Sequence, residues 1–494
     1  MRSHGWRALT PHESPEPALH TWAQALATAS QRTAAHVSTN AAVRIESVKG
    51  RDTLTRTGLD TREEPPSLLQ LRAAVFARLP RVDLPEVLLE IHARTGFAQE
   101  FTHLSEGAAR VGDLPISVCA VLLAEACNIG LEPVVRSDVA ALTRGRLHWV
   151  QQNSLRAETL TRAHATLVDT PSTLPLAQAW GGGEVAAAAG RRFGGPIRTL
   201  NAGPNRQYDG AHRGVTYDNF SSDQCTGFHG IVLPGTLRDS MYSLDGLLEH
   251  QTQLRPVEIL TDTAGGRAVV FGLVWLLGYQ CSPRFADIGA SRCWRLDPTA
   301  DYGVLHSMAR SRVNTDLSIR HGDDSVRVAG SLQQGTVSAS ELMRSLLRSK
   351  PPSTLARAIG ALGRIPRTLS MLSYIDDAQY RRRILTQLKR GEGRHSVARA
   401  VFHGQRGELR QRYREGQEDQ LGALGLVVNA IVLWNTLYME AALHQLRTAG
   451  FEVKAEDAAR LSPRLYKHIN FQGRYSCALS EAVAQGGLRP LRDP

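Results

Sequence analysis

The stretch that decides the fold is Val257-Glu-Ile-Leu-Thr-Asp262, which is followed by the apolar run Ala268 to Leu277. Residues 257–261 predict a short buried strand, Asp262 comes directly after it, and the apolar run predicts a buried helix. Short β-rich runs precede this unit at Val215 to Phe220 and at Phe228 to Leu233. Several strands followed by a strand, an acid and a helix indicate an α/β layer built on a mixed sheet.

Helical patterns flank this α/β region on both sides. Apolar residues recur at helical spacing from Ser67 to about Gln178, and Val118 to Cys127 predicts a fully buried helix. The chain is helical again from about Tyr302 to Arg447, with a break at Ser349-Lys-Pro-Pro-Ser353. The polar stretch before Ser67 ends in Glu-Glu-Pro-Pro, so we expect it to be weakly ordered.

These patterns predict six regions. They are a weakly ordered segment (1–66), a helical domain (67–178), an α/β core (179–301), a helical insertion (302–380), a region of core helices that contains Glu392 (381–447) and a C-terminal tail (448–494).

The chain is basic, with 58 Lys and Arg against 47 Asp and Glu and a net charge of +11. Nearly all of the positive charge is arginine, which forms bidentate contacts with phosphate oxygens. The arginine bias of a GC-rich genome explains the same composition, so charge alone leaves nucleic-acid binding open.

Several classes of protein are not indicated. The six cysteines include no C-x-x-C pair, so neither a zinc knuckle nor a redox motif is predicted. No phosphate-binding loop or H-E-x-x-H motif is present, and the Gly181–Gly183 cluster lacks dinucleotide spacing, so no nucleotide cofactor is expected. The N-terminal residues have no apolar core of a secretory signal, and the apolar run from Leu421 to Met439 contains Asn429, Asn435 and Thr436. We therefore expect a buried core helix, no membrane association and a cytoplasmic protein.

Asp262 has two interpretations from its position alone. An acid at the carboxyl end of a buried strand lies where α/β sheets tend to place their functional sites. The other interpretation is that Asp262 caps the following helix by accepting hydrogen bonds from its first backbone N–H groups.

Glu392 also has two interpretations. It lies in Arg390-Gly-Glu-Gly-Arg394, and between Arg364 and Arg414 thirteen Lys or Arg residues stand against four acids. An isolated acid in such a region could form ion pairs on a solvated helix face. Alternatively, the carboxylate could hold a metal ion while the arginines bind DNA phosphates.

Short motifs along the chain resemble those of one known family. They are Phe101–Ser105, Arg156–Thr159, Thr236–Ser240, Leu244–Leu248, Thr261–Gly265, Leu277–Tyr279 with Ser282–Arg284, Tyr374–Asp377, and Leu388–His395 followed by Ala398–Val401. In type and order they resemble the motifs of the Tn-three family of replicative bacterial transposases. The resemblance covers about residues 35 to 494.

The resemblance implies a fold and a chemistry. The fold would be a ribonuclease H-like mixed-sheet core flanked by helical domains, with a helical insertion before the helix that carries the glutamate. The chemistry would be in-line phosphoryl transfer at a DNA backbone, with Mg²⁺ (Mn²⁺ as a possible substitute) held by an Asp-Asp-Glu triad. Water would nick the transposon end, and the freed 3′-hydroxyl would attack target DNA. The partners implied are transposon ends, target DNA and a second copy of the chain.

Carried onto this chain, the resemblance makes Asp262 and Glu392 the catalytic metal ligands. The family's first aspartate lies in Ser-Ala-Asp-Gly, whereas this chain has Ala187-Ala-Ala-Gly190, so Ala189 takes the place of the acid. In the next strand, Gly194-Gly195 stands where bulky apolar residues are expected, and glycine weakens that strand by removing side chains that would pack. Glu184 or Asp218 would have to supply a substitute ligand.

Six basic residues are the expected contacts with the DNA backbone. They are Arg382, Arg383, Lys389, Arg390, Arg394 and Arg399. Because only the last part of the family's N-terminal region fits before Trp180, we expect a truncated and catalytically impaired copy, with unrelated sequence in its first two to three dozen residues.

Two other functions stay open. The chain could be a non-enzymatic DNA-binding remnant that dimerises with an intact transposase and inhibits it. It could also be a helical scaffold without a nucleic-acid role, for which no DNA affinity and no steep salt dependence are expected.

Overall fold

The fold is described from a computed structural model of the 494-residue chain. It describes residues 15–48, 51–103, 112–195, 203–204, 213–234, 242, 244–262, 267–289, 291–297, 299–306, 308–309, 311–473 and 479–493. The motif at Thr236–Ser240 and Cys477 lie outside the described residues, as do parts of the motifs at Phe101–Ser105 and Thr261–Gly265.

Helices form most of the described chain. They are α1 (Pro15–Val37), α2 (Pro66–Arg78), α3 (Leu84–Thr95), α4 (Leu114–Ala126), α5 (Arg144–Asn153), α6 (Ala157–Asp169), α7 (Pro175–Trp180), α8 (Asp245–Leu248), α9 (Ala268–Leu276), α10 (Thr315–Arg320), α11 (Gly322–Gln333), α12 (Ala339–Leu347), α13 (Thr354–Asp376), α14 (Ala378–Val401), α15 (Arg414–Thr448), α16 (Ala455–Ala458) and α17 (Glu481–Ala484).

The strands are shorter and concentrate in the middle of the chain. They are β1 (Val43–Val48), β2 (Arg51–Arg56), β3 (Val82–Asp83), β4 (Val185–Gly194), β5 (Gly203–Pro204), β6 (Arg213–Ser222), β7 (Gly227–Pro234), β8 (Glu258–Thr261), β9 (Gln280–Pro283), β10 (Trp294–Arg295), β11 (Ser311–Arg312) and β12 (Ile469–Asn470).

The central sheet is mixed, as the sequence predicts. Strand β6 lies between β7 and β4 and pairs antiparallel with both. Strand β4 then pairs parallel with β8, and β8 pairs parallel with β9. The two-residue strand β5 adds a short antiparallel pairing to β6. The antiparallel strands β7, β6 and β4 are therefore extended at β4 by two strands, β8 and β9, which both run parallel to β4.

Helices cover both faces of the sheet. Ala186 and Ile259 share one face and cluster with residues of α9 and α13, such as Phe271. Ala187 and Leu260 share the other face and cluster with Ile384 of α14. Because side chains alternate along a strand, odd-numbered residues of β4 face α14 and even-numbered residues face α9.

Helices α9 and α13 pack very closely behind the sheet. A Cβ atom added at Gly363 would lie 1.8 Å from the carbonyl oxygen of Ala268 and 2.4 Å from the backbone nitrogen of Gly272. Only glycine permits this approach of the two backbones. The layer behind β8, and with it the position of Asp262, depends on that contact.

Helix α15 is the centre of the helical part. Of the described helices, α15 alone is long and apolar enough to cross a membrane, and 89% of its most apolar window is buried inside the protein. It packs against α3, α4 and α6. Leu421 to Met439 therefore form a buried core helix, which confirms that prediction.

The N-terminal segment differs from the expectation of weak order. Helix α1 and the β1–β2 hairpin occupy much of it. Trp22 and Leu26 of α1 are buried, and the Trp22 ring lies 4.2 Å from the ring of Trp275. Burial against α9 and α13 orders this helix, and this long-range contact has no local signal in the sequence.

The other local predictions agree with the structure, except that Gly194 is the last residue of the same strand as Ala189 and not part of the next one. The predicted strands correspond to β6, β7 and β8, and the predicted buried helix at 118–127 corresponds to α4. The break at 349–353 separates α12 from α13. Five cysteines (119, 127, 225, 281 and 293) are buried and form no disulfide, as expected of isolated cysteines.

Candidate functional site

The register of β4 and β8 aligns two positions of the predicted site. The pairing of these parallel strands ends with Ala187 opposite Leu260. Ala189 and Asp262 are each two residues farther along their own strands. Because side chains two residues apart on a strand share a face, Ala189 and Asp262 are on the face of the sheet that α14 covers, like Ala187 and Leu260.

Helix α14 packs on β4 at Gly391, the residue before Glu392. A Cβ atom added at Gly391 would lie 3.3 Å from the Cβ of Ala189 and 3.7 Å from the hydroxyl oxygen of Ser221. The helix backbone is therefore in close contact with β4 at this point. Glu392 is the next residue and is exposed, as is Asp262. The structure therefore has Ala189 and Asp262 on neighbouring strands and Gly391, the residue before Glu392, in contact with Ala189.

The helix-capping interpretation of Asp262 is wrong. Helix α9 begins at Ala268, and its N-cap residue is Arg267. Asp262 directly follows β8 and lies five positions before that cap. An acid at the end of a central strand is the arrangement in which α/β sheets present a functional group.

The ion-pair interpretation of Glu392 finds no support either. Its carboxylate forms no ion pair or hydrogen bond to the rest of the described chain. An exposed acid that pairs with none of the neighbouring Lys389, Arg390 and Arg394 is available to a ligand.

Neither proposed substitute for the missing carboxylate is close to Ala189. Glu184 precedes the first residue of β4, and five residues of extended strand span about 16 Å. Asp218 pairs with Gly190 across β4 and β6, so its side chain lies on the opposite face of the sheet from Ala189. Within the described ranges, no group of three His, Cys, Asp or Glu residues could hold a metal ion.

The arginines of α14 are not equivalent. Arg394 is only 2% exposed, its Nη2 donates to the carbonyl oxygen of Gly425 at 2.8 Å, and burial lowers its pKa to about 10. An enclosed guanidinium has no access to a DNA backbone. Arg394 is therefore removed from the expected DNA surface.

Arg390 and Arg383 are bound to the protein as well. Arg390 donates through Nη1 to the carbonyl oxygens of Trp180 (3.2 Å) and Asp223 (2.6 Å). Arg383 forms a bidentate ion pair with buried Glu258, at 2.5 and 2.9 Å. Both arginines hold α14 near the first residues of β4 and β8. A phosphate group would have to compete with these hydrogen-bond partners for either guanidinium.

Lys389 and Arg399 are exposed, and Arg382 is half-buried. Arg382, Arg383 and Arg390 line one cleft together with Arg62 and Trp180. Val185 at the start of β4 also lines it, so the cleft lies at the other end of the strand from Gly194.

Two residues that position the site were not predicted. Arg464 of the C-terminal tail donates to the carbonyl oxygens of Lys389 (3.0 Å) and Arg390 (2.6 Å), which lie three and two residues before Glu392 in α14. Asn429 of α15 accepts from the backbone nitrogen of Gly227 (2.9 Å) and donates to its carbonyl oxygen (2.7 Å). Both contacts join segments far apart in the sequence, so no local pattern could have indicated them.

His395 lies one turn after Glu392, between α14 and β4. The pKa of its imidazole is lowered to about 4, first by burial and then by the charges of Arg191, Arg394 and Arg399. The imidazole of His395 is therefore neutral at neutral pH, although three arginines surround it.

The chain is similar to a set of known proteins. The family model described as "Tn3 transposase DDE domain" matches residues 86–475. The chain is 59% identical over 452 residues to the transposase for transposon gamma-delta of Escherichia coli K12, covering 92% of this chain and 45% of that protein. It is 48% identical to the transposase for transposon Tn4556 of Streptomyces fradiae (88% and 48% covered) and 38% identical to that of Tn501 of Pseudomonas aeruginosa (84% and 42%). The chain spans less than half the length of each of these relatives.

Proposed function

The chain belongs to the Tn3 transposase DDE-domain family, and from this we propose that it carries the catalytic part of a transposase acting by phosphoryl transfer at transposon ends. We propose further that this site is impaired, because Ala189 stands where the first carboxylate belongs. The observation that carries the proposal is the strand register, which supports Ala189 and Asp262 as neighbours on the face covered by α14.

A ribonuclease H-like core is part of the proposal. The strand order β7-β6-β4-β8-β9, with three antiparallel strands followed by two parallel ones, supports it. So does the acid at the end of β8 and the glutamate on a helix that packs across β4 and β8. We propose the six regions predicted from the sequence as its division, with the first region corrected to include α1 and the hairpin.

Asp262 and Glu392 are the residues that would hold a divalent metal ion, for which we propose Mg²⁺. Carboxylate oxygens suit this hard cation, and both side chains are exposed. When bound, such an ion activates the attacking oxygen and neutralises charge on the leaving oxygen. The donor set fits incompletely, because Ala189 has no carboxylate and neither Glu184 nor Asp218 is placed to supply one.

The missing carboxylate should cost most of the activity. Metal-assisted charge stabilisation is worth several kcal/mol, and each 1.4 kcal/mol changes a rate about tenfold. A methyl group contributes no ligand atom. Asp262 and Glu392 alone would therefore bind the ion weakly and orient it poorly.

The alanine at position 189 also favours a second candidate function, which is a DNA-binding protein without catalytic activity. Such a chain would pair with an intact transposase and reduce its activity. Exposed Lys389 and Arg399 and half-buried Arg382 are the cations we propose for its DNA backbone contacts. A homodimer, the transposon ends and target DNA are the partners proposed for either candidate.

The test restores the carboxylate. Ala189→Asp is compared with the wild-type chain in strand transfer from a pre-nicked transposon end with Mn²⁺. Ala188→Asp is the matched control, since it adds the same group on the opposite face of β4. We expect transfer only with Ala189→Asp, and loss of that transfer when Asp262→Asn is added.

Equal activity of the wild-type chain and Ala189→Asp would refute the position assigned to the lost acid. Inactivity of both, with DNA binding retained and with inhibition of an active relative on mixing, would select the second candidate.

A further inference from the structure

The segment that joins α14 to α15 carries concentrated positive charge. Residues 402–414, hereafter the arginine loop, contain Arg406, Arg410, Arg412 and Arg414 against Glu408 alone. All four arginines are exposed. The loop contains none of the six basic residues predicted to contact DNA.

Two of these arginines are available to a ligand. Arg410 pairs with Glu408 at 3.3 Å and Arg414 pairs with Glu418 at 2.7 Å, both in solvent-exposed ion pairs that contribute little free energy. Arg406 and Arg412 form no ion pair or hydrogen bond to other residues that the structure describes. Their guanidinium groups are free to form bidentate contacts with phosphate.

Tyr413 stands between Arg412 and Arg414 with its ring in solvent. It is 76% exposed, which is the highest value among the large hydrophobic residues on the surface of the described chain. Within that chain its ring stacks on no aromatic residue and its hydroxyl has no hydrogen-bond partner. The residue therefore buries little surface on folding, and most of it faces solvent.

The loop is nevertheless held firmly against the sheet. The backbone nitrogen of Leu409 donates to the carbonyl oxygen of Gly194 at 2.9 Å, and the Leu409 side chain is buried. Asn128 donates from Nδ2 to the carbonyl oxygens of Gly404 (3.0 Å) and Glu408 (2.8 Å). These bonds fix the loop at the last residue of β4 rather than leaving it free.

The anchor sets the distance from the candidate site. Gly194 lies five residues beyond Ala189, which is about 16 Å along an extended strand. A DNA duplex advances about 3.4 Å per nucleotide of one strand, so this span corresponds to about five nucleotides. A strand whose phosphate lies beside Asp262 and Glu392 can therefore reach Tyr413.

We propose that Tyr413 stacks on an unpaired base of the DNA strand bound at the site, while Arg406 and Arg412 hold the neighbouring phosphates. An open aromatic ring between cations suits a single-stranded nucleic acid, because every base presents a stacking face and every nucleotide a phosphate. In a continuous duplex the base faces are covered by their neighbours, so the ring selects an unstacked nucleotide near the cut. This inference rests on the proposed DNA-processing function and extends it.

The test uses the 494-residue chain and single-stranded oligonucleotides with 2-aminopurine at successive positions. Stacking on tyrosine changes the fluorescence of this base analogue. Tyr413→Ala is expected to abolish the position-specific change and to weaken binding about tenfold, as removal of one base–aromatic stack does. Tyr413→Phe keeps the ring and should retain both. Arg412→Gln should weaken binding and lower its salt dependence while retaining the fluorescence change.

Each outcome decides between the parts of the proposal. Because Tyr413 is exposed, all three variants should unfold at the wild-type temperature, so a loss of binding is not a loss of fold. Wild-type affinity and fluorescence in Tyr413→Ala overturn the stacking proposal and leave the catalytic one intact. Absence of DNA binding by the wild-type chain overturns both and points to an acidic protein segment as the occupant of the loop. If Ala189→Asp shows no metal-dependent strand transfer while the base still stacks on Tyr413, only the catalytic proposal is contradicted.

Discussion

The two ends of helix α14 carry arginines in equivalent helical positions but in opposite environments. Arg381 and Arg399 are 18 residues apart, which is five turns, so they point in the same direction from the helix axis. Arg381 is completely buried, whereas Arg399 is exposed. Arg381 donates through Nη1 to the carbonyl oxygens of Tyr374 and Ile375, each at 2.8 Å.

The difference shows that burial on α14 is set by what covers each end rather than by helical periodicity. The last turn of α13 covers the first turns of α14, and Arg381 satisfies carbonyl groups that end that helix. No described element covers Arg399 in this way. One arginine therefore belongs to the folding of the core, and the other is available to a partner.

The largest effect is expected from Arg381→Met. The substitution leaves two buried carbonyl oxygens with one partner fewer and removes well-packed atoms, which should lower the free energy of unfolding by about 3 kcal/mol. The measurement is urea unfolding followed by circular dichroism.

Arg399→Met is the control at the matching helical angle and should change stability by less than about 0.5 kcal/mol. A similar decrease in the free energy of unfolding in both variants would contradict the structure, in which Arg381 is buried and Arg399 is exposed.

A smaller effect is expected from His395→Gln, as a function of pH. Burial lowers the pKa of His395 from 6.5 to about 4, so below pH 6.5 the unfolded chain binds a proton that the folded chain does not. Stability is therefore lost as pH falls from 6.5 toward 4. Glutamine cannot be protonated, so the variant should lose about 2 kcal/mol less than the wild type between pH 7 and pH 4.

Thermal unfolding midpoints measured across that pH range provide the check. His306→Gln is the control, because the structure describes His306 as exposed. Parallel pH curves for the wild type and His395→Gln would argue that this imidazole is accessible to solvent.

Much of the fold was predictable because its signals are local. An apolar strand, an acid and an apolar helix follow one another within residues 257–276, and the structure has β8 and α9 there. Helix α1 was not predictable, because the burial of Trp22 against Trp275 joins residues far apart in the sequence. A polar N-terminal stretch gives no indication of a contact made elsewhere.

The candidate site likewise contains residues that the sequence could indicate and residues whose environment depends on long-range contacts. Asp262 and Glu392 stand out from their local sequence, and Ala189 stands out against the family motif. The sequence did not indicate that Arg394 is buried while Arg399 on the same helix is exposed. Gly425 of α15 accepts a hydrogen bond from Arg394, and this contact exists only in the folded chain.

The smallest effect distinguishes Arg399 from Arg394 by the salt dependence of DNA binding. Arg399→Gln removes an exposed cation, so the slope of log K against log[salt] should fall in magnitude by about 1, with weaker binding to any sequence. Arg394→Met removes a cation enclosed by Tyr217, Gly227 and Gly425, which should leave that slope unchanged. Fluorescence anisotropy of a labelled duplex between about 50 and 200 mM salt measures both slopes. A reduced slope in Arg394→Met alone would mean that the buried arginine reaches the DNA, and α14 would then have to reorganise on binding.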